Sequence, residues 1–475
     1  MRITTPNVAR IALFHPAFLV PGGAEFLCLQ QARALTSAGD DVRIVTQSLN
    51  RTCWNAELAG LRVDIAAKRR WSDFLFGSSP SAKLRTRAAR ASRLLQDVDV
   101  VVAHNFPCNT MLGAARTRAR RVWQCNEPPR SHHLALANPR LEERCESTTG
   151  EPAEFATEAY VKARRNEQAH HAQREKSARF DIEMTARLDD IYAISEFSRD
   201  NARKIYGRCA QEVVYPIVRF GAERVRERLP DGDALRVLTH TRLEAYKNVD
   251  TVLKGFALYH ARRPRAVLHL VGDGPMRERL RALASQLLPE GAVHWHGFLP
   301  RADLDALYER CDVLALLTLD EPFGMVFPEA AARGLLLIGP DHGGPFEILD
   351  GGRLGDCIDP FEPRALDEAL TRLEGLRPEQ STLDAGKRNA LAERDSRSKP
   401  CCPPCVERCS APTRLQRFEA AVRQFRQEHV ASRWHRRVLR AVGATLGKRC
   451  DTTARPPRRR IDVPHAPVAP RPVRA

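Results

Sequence analysis

Two glutamates, Glu321 and Glu329, bracket the segment of this chain with the clearest potential for chemistry, which reads EPFGMVFPE. The segment follows an apolar run and leads into an alanine-rich stretch, a pattern that predicts a strand, a glycine-containing loop and the start of a helix. This layout is expected to place the backbone N–H groups of Phe323, Gly324 and Met325 at a helix N-terminus, which favours anions. The flanking carboxylates could then bind hydroxyl groups on either side of a bound phosphate. The alternative is an acidic loop beside a helix cap.

A basic pair, Arg242 and Lys247, lies in the segment TRLEAYKNV, directly after an apolar run. Two cations five residues apart after a strand can reach one point, and arginine can bind a phosphate through two parallel hydrogen bonds. When a diphosphate leaves, these charges would offset the negative charge that develops on it. The alternative is a solvated basic turn.

Gly22 and Gly23 follow the first apolar run, IALFH, and precede a helical apolar pattern. Glycines at this place allow a ligand to approach the backbone closely at a helix N-terminus. A lone Gly-Gly pair is weak evidence, but its position after the first strand strengthens it. Glu25 is predicted to complement the helix dipole in the first turn.

These residues need a scaffold, and both halves of the chain supply short apolar runs that alternate with helical patterns. That alternation predicts an α/β fold with doubly wound parallel sheets. We expect two Rossmann-like domains that face each other across a cleft, at residues 8–215 and 231–380, with a tail at 381–475. The expected strands begin at Ile11, Val42, Val98, Val122, Ile191, Arg236, Ala266, Val293, Val313 and Leu335.

The chain resembles the retaining GT-B glycosyltransferases of the large family 4 type, the glycosyl transferases group 1. Five motifs carry the resemblance in the family's order, and they cover roughly residues 10–375, with a gap near 131–180. They are the basic pair 242/247, LVGDGP at 270–275, HGFLP at 296–300, the segment 321–329 and GGPFE at 343–347.

The resemblance implies transfer of a hexosyl unit from a nucleotide-diphosphate sugar, with front-face attack, no protein nucleophile and no cofactor. It implies that Arg242 and Lys247 bind the donor diphosphate, that Glu321 contacts the donor sugar and that Glu329 binds the ribose. We expect no metal site in the two domains. The further donor contacts that the resemblance implies are Gly22, Gly23, Phe323, Gly324, Met325 and Val326.

The acceptor side departs from the family, because Asn126 occupies the place where many relatives carry a histidine. His104 follows a buried-strand pattern, and ligands of such sheets bind at the strand C-termini. Either His104 or Glu127 is therefore predicted to handle the acceptor proton, and we name His104 as the catalytic candidate. The alternative for His104 is a hydrogen-bonded histidine at a strand end. Glu347 is interpreted as structural, as a helix cap.

Two segments differ in composition from the domains. Residues 131–188 are highly charged and predict a helical insertion. The tail is rich in cysteine, proline and arginine, which predicts that it is largely disordered. Its four cysteines at 401, 402, 405 and 409 suggest zinc, but their spacing lacks a second C-x2-C pair, so we do not favour a zinc site.

Charge is concentrated in the tail. The chain carries +17 overall, and residues 381–475 hold 22 Lys/Arg and 8 Asp/Glu, a balance of +14. The tail has little aromatic interleaving, so we predict attraction to an anionic membrane surface rather than to nucleic acid. A basic-aromatic run at 68–76 supports the same expectation, against the alternative of a basic helix on the flank of the domain. The sequence shows no 18-residue apolar run and no signal-peptide pattern, which predicts a cytoplasmic protein, peripheral at the inner membrane face.

The leading functional hypothesis is a retaining glycosyltransferase that acts on a glycan or lipid-linked acceptor in surface polysaccharide synthesis. A mannosyl donor is suggested by the likeness of segment 127–130, EPPR, to mannosyltransferase-like members. The alternatives are a GT-B sugar-nucleotide epimerase and an inactive GT-B partner subunit.

Overall fold

The computed structural model describes residues 8–20, 22–66, 80–133, 155, 158–159, 162, 170–208, 210–216, 218 and 235–374. The expected tail, the basic-aromatic run 68–76 and much of the expected insertion lie outside these residues.

Seven parallel strands form the first sheet, in the order β3-β2-β1-β4-β5-β6-β7. The central strand β4 is buried at all five positions, as expected where helices cover both faces of a parallel sheet. The strands are β1 Arg10–His15, β2 Asp41–Thr46, β3 Arg62–Ile65, β4 Val100–His104, β5 Arg120–Cys125, β6 Asp190–Ala193 and β7 Glu212–Val213.

Helices cover this sheet and present their apolar faces to it. In α1, for example, Cys28, Leu29, Ala32 and Leu35 recur at helical spacing and pack into one buried cluster with the strands. The helices are α1 Gly23–Ser37, α2 Arg51–Trp54, α3 Pro80–Ser92, α4 Cys108–Ala114, α5 Arg130–His133, α6 His171–Thr185 and α7 Glu196–Tyr206.

Six parallel strands form the second sheet, in the order β10-β9-β8-β11-β12-β13. The strands are β8 Arg236–His240, β9 Val267–Val271, β10 Val293–Gly297, β11 Val313–Ala315, β12 Leu336–Pro340 and β13 Asp356–Ile358. The helices are α8 Val249–Arg262, α9 Arg277–Leu287, α10 Arg301–Arg310, α11 Val326–Ala331, α12 Gly343–Ile348 and α13 Pro363–Glu374. Single 3-10 turns occupy Arg93–Leu95, Ala245–Lys247 and Asp350–Gly352.

Both sheets are doubly wound, which confirms the predicted fold class. The first strand of each half, β1 or β8, lies between the strand that follows it and a strand reached by a crossover, β4 or β11. Ligands of such sheets bind beyond the strand C-termini at this switch point. The loops after β1, β8 and β11 carry Gly22–Gly23, Arg242 and Glu321, so the topology directs the predicted donor residues towards that region.

Three strands were absent from the sequence-based prediction, namely β3, β7 and β13. Each lies at the edge of a sheet, and β3 and β7 contain no fully buried position. Edge strands need few apolar residues, so their sequences lack the signal that revealed the central strands.

The two halves meet through an apolar cluster and polar bridges. Leu27 of α1 and Ile194 belong to the same buried cluster as Phe323 and Phe327 of the second half. The Ser195 hydroxyl donates to the Pro322 carbonyl at 2.6 Å. Among the described residues, no helix is both long and apolar enough to cross a bilayer.

Candidate donor site

The loop that carries Arg242 is positioned by two glycines of the next strand-loop segment. A Cβ on Gly272, where φ is +120°, would lie 1.9 Å from the Thr241 carbonyl oxygen, and one on Gly274 would lie 2.5 Å from the Leu243 carbonyl oxygen. The Leu243 N–H donates to the Asp273 carbonyl at 3.0 Å. Only glycine permits this close backbone approach, so the LVGDGP motif shapes the Arg242 loop.

Lys247 ends a short turn that is held in place by the buried asparagine that follows it. Asn248 adopts φ of +56° and donates from its side chain to the carbonyls of Leu317, at 2.9 Å, and Pro360, at 2.6 Å. Because Asn248 is fully buried, these bonds hold the turn firmly against the second sheet. The segment TRLEAYKNV therefore contains, directly after the lysine, the residue that holds the turn in place.

The Lys247 ammonium forms an ion pair with the Glu321 carboxylate, and both side chains are largely buried, at 14% and 16% exposure. Two residues separated by 74 positions and predicted separately for chemistry are thus brought together. Arg242 lies further out, 60% exposed, with its guanidinium 3.1 Å from the Glu244 carboxylate.

The loop that follows Glu321 depends on Gly324. Its φ is +91°, and a Cβ there would lie 2.8 Å from the Phe327 ring. The GGPFE turn supports the loop from the other side, because a Cβ on Gly344 would lie 2.2 Å from the Pro322 carbonyl oxygen. The Gly344 N–H also donates to the Glu321 carbonyl at 2.9 Å. Helix α11 begins directly after Met325, so the predicted strand-loop-helix layout is present.

Glu329 lies in the first turn of α11 and is only 9% exposed. Burial raises the pKa of this carboxyl, and the cations of Arg301 and Arg333 act in the opposite direction. Arg301 Nη1 lies 3.3 Å from the carboxylate, while Arg333 donates to the Glu329 carbonyl at 2.8 Å. The arrangement presents a carboxylate with a guanidinium partner, which suits the binding of a neighbouring diol.

Arg301 was not predicted as a site residue from the sequence, although it directly follows the HGFLP motif. Its role depends on a contact 28 residues away in sequence. The sequence did contain one signal, a basic residue at the start of a helix directly after a motif. This pattern is common, however, and it does not identify Glu329 as the partner.

Gly22 and Gly23 bring the first half to this site. A Cβ on Gly23 would lie 3.3 Å from the Met325 sulfur, so the two loops are close neighbours across the interface. Gly22 has an extended backbone and precedes α1, and a Cβ there would lie 2.6 Å from the Glu25 carboxylate. Burial raises the pKa of Glu25, and the Arg242 cation opposes that effect. Residues of both halves that were predicted to contact the donor, Gly23 and Met325, are therefore close neighbours.

Glu347, interpreted as a structural cap, caps a helix of the other half of the molecule. Its carboxylate accepts from the Glu196 backbone N–H at 2.8 Å, in the first turn of α7, and from the Tyr215 hydroxyl at 2.6 Å. Burial raises the pKa of Glu347, and these two donors act against the increase. The GGPFE motif thus supports the donor loop with its glycines and joins the domains with its glutamate.

His104 occupies the end of β4, as expected, but it is fully buried beneath the surface. Its ring centroid lies 6.1 Å from that of His15, and neither ring nitrogen hydrogen-bonds to any residue that the structure describes. Burial, followed by the neighbouring His15, holds the pKa of His104 well below its usual value. In this conformation the imidazole is not exposed to an acceptor. The alternative, a hydrogen-bonded histidine at a strand end, is not observed among the described residues either.

Asn126, at the family's histidine position, has a structural environment. Its side-chain NH2 group donates to the Asn105 side-chain oxygen at 2.7 Å, and its backbone carbonyl accepts from the Ser198 hydroxyl at 2.6 Å. It links the loops after β4 and β5, and it is 7% exposed. The structure therefore brings Lys247 to Glu321 and Gly23 close to Met325, whereas His104 is fully buried.

Two family models match this chain. Residues 21–219 match the model described as Glycosyltransferase Family 4, and residues 222–390 match the model described as Glycosyl transferases group 1. The chain belongs to the group 1 glycosyltransferases of the family 4 type. The boundary between the two matches falls in the expected interdomain segment.

Curated relatives include the mannosylfructose-phosphate synthase of Agrobacterium fabrum, 34% identical over 138 residues, which are 27% of this chain and 30% of the relative. Another is the GDP-mannose-dependent alpha-(1-6)-phosphatidylinositol monomannoside mannosyltransferase of Mycolicibacterium smegmatis, 30% identical over 199 residues, 38% of this chain and 52% of the relative. The chain thus spans about half or less of the length of these two relatives.

Solved structures match over a greater length. Anabaena HepE in complex with UDP has a TM-score of 0.60 at 16% identity, covering 92% of this chain and 100% of the other. The sucrose-phosphate synthase of Thermosynechococcus elongatus has a TM-score of 0.61 at 15% identity, with coverage of 92% and 100%. These similarities show that the chain has the GT-B fold.

Proposed function

We propose that this chain is a retaining glycosyltransferase that moves a hexosyl unit from a nucleotide-diphosphate sugar to a glycan or lipid-linked acceptor. The observation that carries the proposal is the buried Lys247–Glu321 ion pair beside the Gly23–Met325 contact. At this point the switch-point loops of both sheets meet, where GT-B proteins have room for a ligand between the domains.

In the proposed reaction, the donor diphosphate binds to Lys247 and Arg242. Lys247 is paired with Glu321, so an incoming diphosphate shares its ammonium and frees carboxylate lone pairs for sugar hydroxyls. As the bond between the sugar and the diphosphate breaks, the two cations stabilise the charge on the leaving group. The acceptor hydroxyl attacks the same face of the sugar, and the leaving phosphate can accept its proton. The reaction as proposed requires no cofactor.

Glu329 is proposed to bind the two ribose hydroxyls. A carboxylate accepts two hydrogen bonds at once, and the Arg301 cation favours the ionised form against burial. Phe323, Gly324, Met325 and Val326 would supply backbone groups to the sugar and phosphates, and Gly22 and Gly23 would approach the diphosphate from the other domain.

A mannosyl donor carried on GDP is the favoured substrate. One curated relative is named as GDP-mannose-dependent, and the EPPR segment at 127–130 is similar to that of mannosyltransferase-like members. Thermal-shift measurements with GDP-mannose, UDP-glucose and the free diphosphates test this, since a ligand that binds the native state raises its stability by mass action. A shift with UDP-sugars and none with GDP-mannose would reject the mannosyl donor and leave the transferase proposal standing.

An epimerase and an inactive partner subunit remain the competing functions, and donor turnover separates them. An epimerase releases an altered sugar and nucleotide without an acceptor, whereas an inactive subunit consumes no donor. We expect acceptor-dependent release of the nucleoside diphosphate, and proton NMR of the product should show the donor's anomeric configuration retained.

The basic tail and the run at 68–76 are proposed to bring the protein to an anionic membrane face that presents the acceptor. Each Lys or Arg near such a surface contributes about 1 kcal/mol, and salt screens the attraction. Co-sedimentation of the full chain with anionic and neutral vesicles at low and high salt tests the proposal. Equal binding to both vesicle types, or no binding at low salt, would contradict it.

A further inference from the structure

A second cluster of chemically competent side chains belongs to the first domain. His132 and His133 come from α5, which follows the loop after β5, and Asp181 comes from α6. One ligand atom from each residue can be chosen so that all lie within 4.8 Å of one another. The donor mechanism uses none of these three residues.

Asp181 is fully buried and firmly oriented. Its Oδ1 accepts from the Asn109 amide at 3.0 Å and from the Thr110 hydroxyl at 2.5 Å. Its Oδ2 accepts from the Tyr206 hydroxyl at 2.7 Å and faces His133. Hydrogen bonds of this kind, made by neighbours to a carboxylate, are what orients a metal ligand in known sites.

The distance from His133 Nε2 to Asp181 Oδ2 is 3.4 Å. Charge-assisted hydrogen bonds are shorter, about 2.7–2.9 Å. Two ligands placed about 2.1 Å from one tetrahedral zinc ion, by contrast, lie about 3.4 Å apart. The spacing of this pair therefore fits two ligands of one ion better than a strong ion pair.

His132 supplies an independent sign. Its Nδ1 is buried and hydrogen-bonds to none of the residues that the structure describes. Its ring packs edge-on against Phe106, with centroids 4.8 Å apart, so the imidazole is held in place.

We propose that His132, His133 and Asp181 bind one divalent transition-metal ion of the zinc type. Two imidazoles and a carboxylate are a ligand set that zinc accepts, and three protein ligands leave a fourth position for water. The ion would fix α5 beside Phe106, which follows the Asn105 that bonds to Asn126. The site thus orders the loops at the C-terminal ends of β4 and β5, where we place the acceptor. It departs from the expectation of no metal in the domains.

Two other groups on the chain could take up metal and need controls. His269 and His296, on β9 and β10, place Nδ1 and Nε2 3.0 Å apart. The four tail cysteines, at 401, 402, 405 and 409, are thiol ligands of zinc and cobalt. The experiment therefore uses the full chain, untagged, with those four cysteines replaced by serine.

Cobalt(II) titration of the EDTA-treated chain, followed by visible absorption and elemental analysis, tests the proposal. We expect one equivalent of Co²⁺ with the intense d–d bands of a tetrahedral site, displaced by Zn²⁺. His132→Asn and His133→Asn should each weaken binding at least about 10-fold, since loss of an outer-shell partner alone costs about 10–100-fold. His171→Asn, at the exposed start of α6, and His296→Asn should leave it unchanged.

Absence of stoichiometric binding at about 100 µM metal, a concentration far above the Kd expected for a structural site, would overturn the proposal. Loss of binding in His296→Asn with retention in His132→Asn would overturn it as well. If both α5 variants fail to fold, X-ray absorption decides, with the cobalt-loaded chain in which His269, His294 and His296 are all replaced by asparagine, since these three rings lie together. Imidazole scattering then supports the α5 site, and its absence contradicts it. Metal binding is measured without any donor. The result therefore tests the metal site independently of the transferase proposal.

Discussion

The donor side and the acceptor side of this molecule differ in how the sequence encodes them. On the donor side, each candidate residue lies in a short motif, and two of these motifs contain part of their own support, namely Asn248 after Lys247 and Gly324 within the loop between the two glutamates. On the acceptor side, Asn126 and His104 occupy the expected strand ends but are buried in structural contacts. The candidate donor residues can be recognised from local patterns, whereas the burial of the acceptor-side candidates depends on tertiary packing.

Replacing the donor-side lysine should have the largest effect. Lys247→Ala removes one preorganised charge from the leaving-group site, and kcat/KM should fall about 100-fold or more. Lys254→Ala is the control: this partly exposed lysine of α8, 3.9 Å from the Asp250 carboxylate, lies outside the proposed site, so kcat/KM should stay within about 3-fold. Steady-state kinetics at saturating acceptor provide the measurement. Activity of Lys247→Ala within a few-fold of the parent would remove the basis for the diphosphate site.

The two glutamates should fail in different ways. Glu329→Ala should mainly weaken binding of the bare nucleoside diphosphate, and Glu321→Ala should mainly lower kcat, by about 10–100-fold each, because one carboxylate holds the ribose and the other the reacting sugar. Calorimetry with the diphosphate alone, set beside kcat for the same variants, separates the roles. Equal loss of diphosphate affinity in both variants would show that the division is wrong.

The limits of prediction from sequence follow the same division. The parallel sheets and the strand-loop-helix layout of the Glu321–Glu329 segment were readable, because buried strands and glycine-containing loops before helices carry local signatures. The edge strands, Arg301 and the burial of His104 were not, since each depends on neighbours distant in sequence. Glu347 was rightly interpreted as a cap, but the helix that it caps belongs to the other domain.

Acid should affect the first domain through its buried histidine at the end of β1. Burial lowers the pKa of His15 from 6.5 to about 4, so the unfolded chain binds more protons between these values. Stability is therefore complete above about pH 6.5 and is lost as the pH falls towards 4, and His15 alone accounts for about 2 kcal/mol at about pH 5.

The test is urea unfolding at about pH 7.5 and about pH 5. In His15→Gln, the difference in unfolding free energy between the two conditions should shrink by about 2 kcal/mol, while His171→Asn should leave it unchanged. A difference that stays the same in His15→Gln would refute the assignment.

The Glu347 bridge between the two domains can be weakened without changing the candidate donor residues. Glu347→Ala leaves the Tyr215 hydroxyl and the Glu196 N–H without their shared acceptor, which should cost about 1–3 kcal/mol in unfolding free energy. Tyr215→Phe removes one of the two bonds and should cost less. Thermal unfolding measures both, and a larger loss in Tyr215→Phe than in Glu347→Ala would contradict the bridging role.

The smallest effect is expected at His104. A fully buried imidazole cannot contact an acceptor in this conformation, so His104→Asn should change kcat by less than about 3-fold, well below the effect of a general base. A 100-fold loss of kcat with unchanged thermal stability would instead return His104 to the catalytic machinery. That result would require the N-terminal loops to open when the acceptor binds.

Direct titration of the donor site tests the central claim, which is that Lys247 and Glu321 form a binding site for a nucleotide diphosphate. Calorimetry should show one equivalent of GDP or UDP bound per wild-type chain, with a Kd in the range of about 1 µM to 1 mM typical of enzyme substrates. The same nucleotide should bind at least about 10-fold more weakly to Lys247→Ala, and unchanged to Lys254→Ala. Equal affinity for wild type and Lys247→Ala, or no binding of either nucleotide to the wild type, would contradict the account.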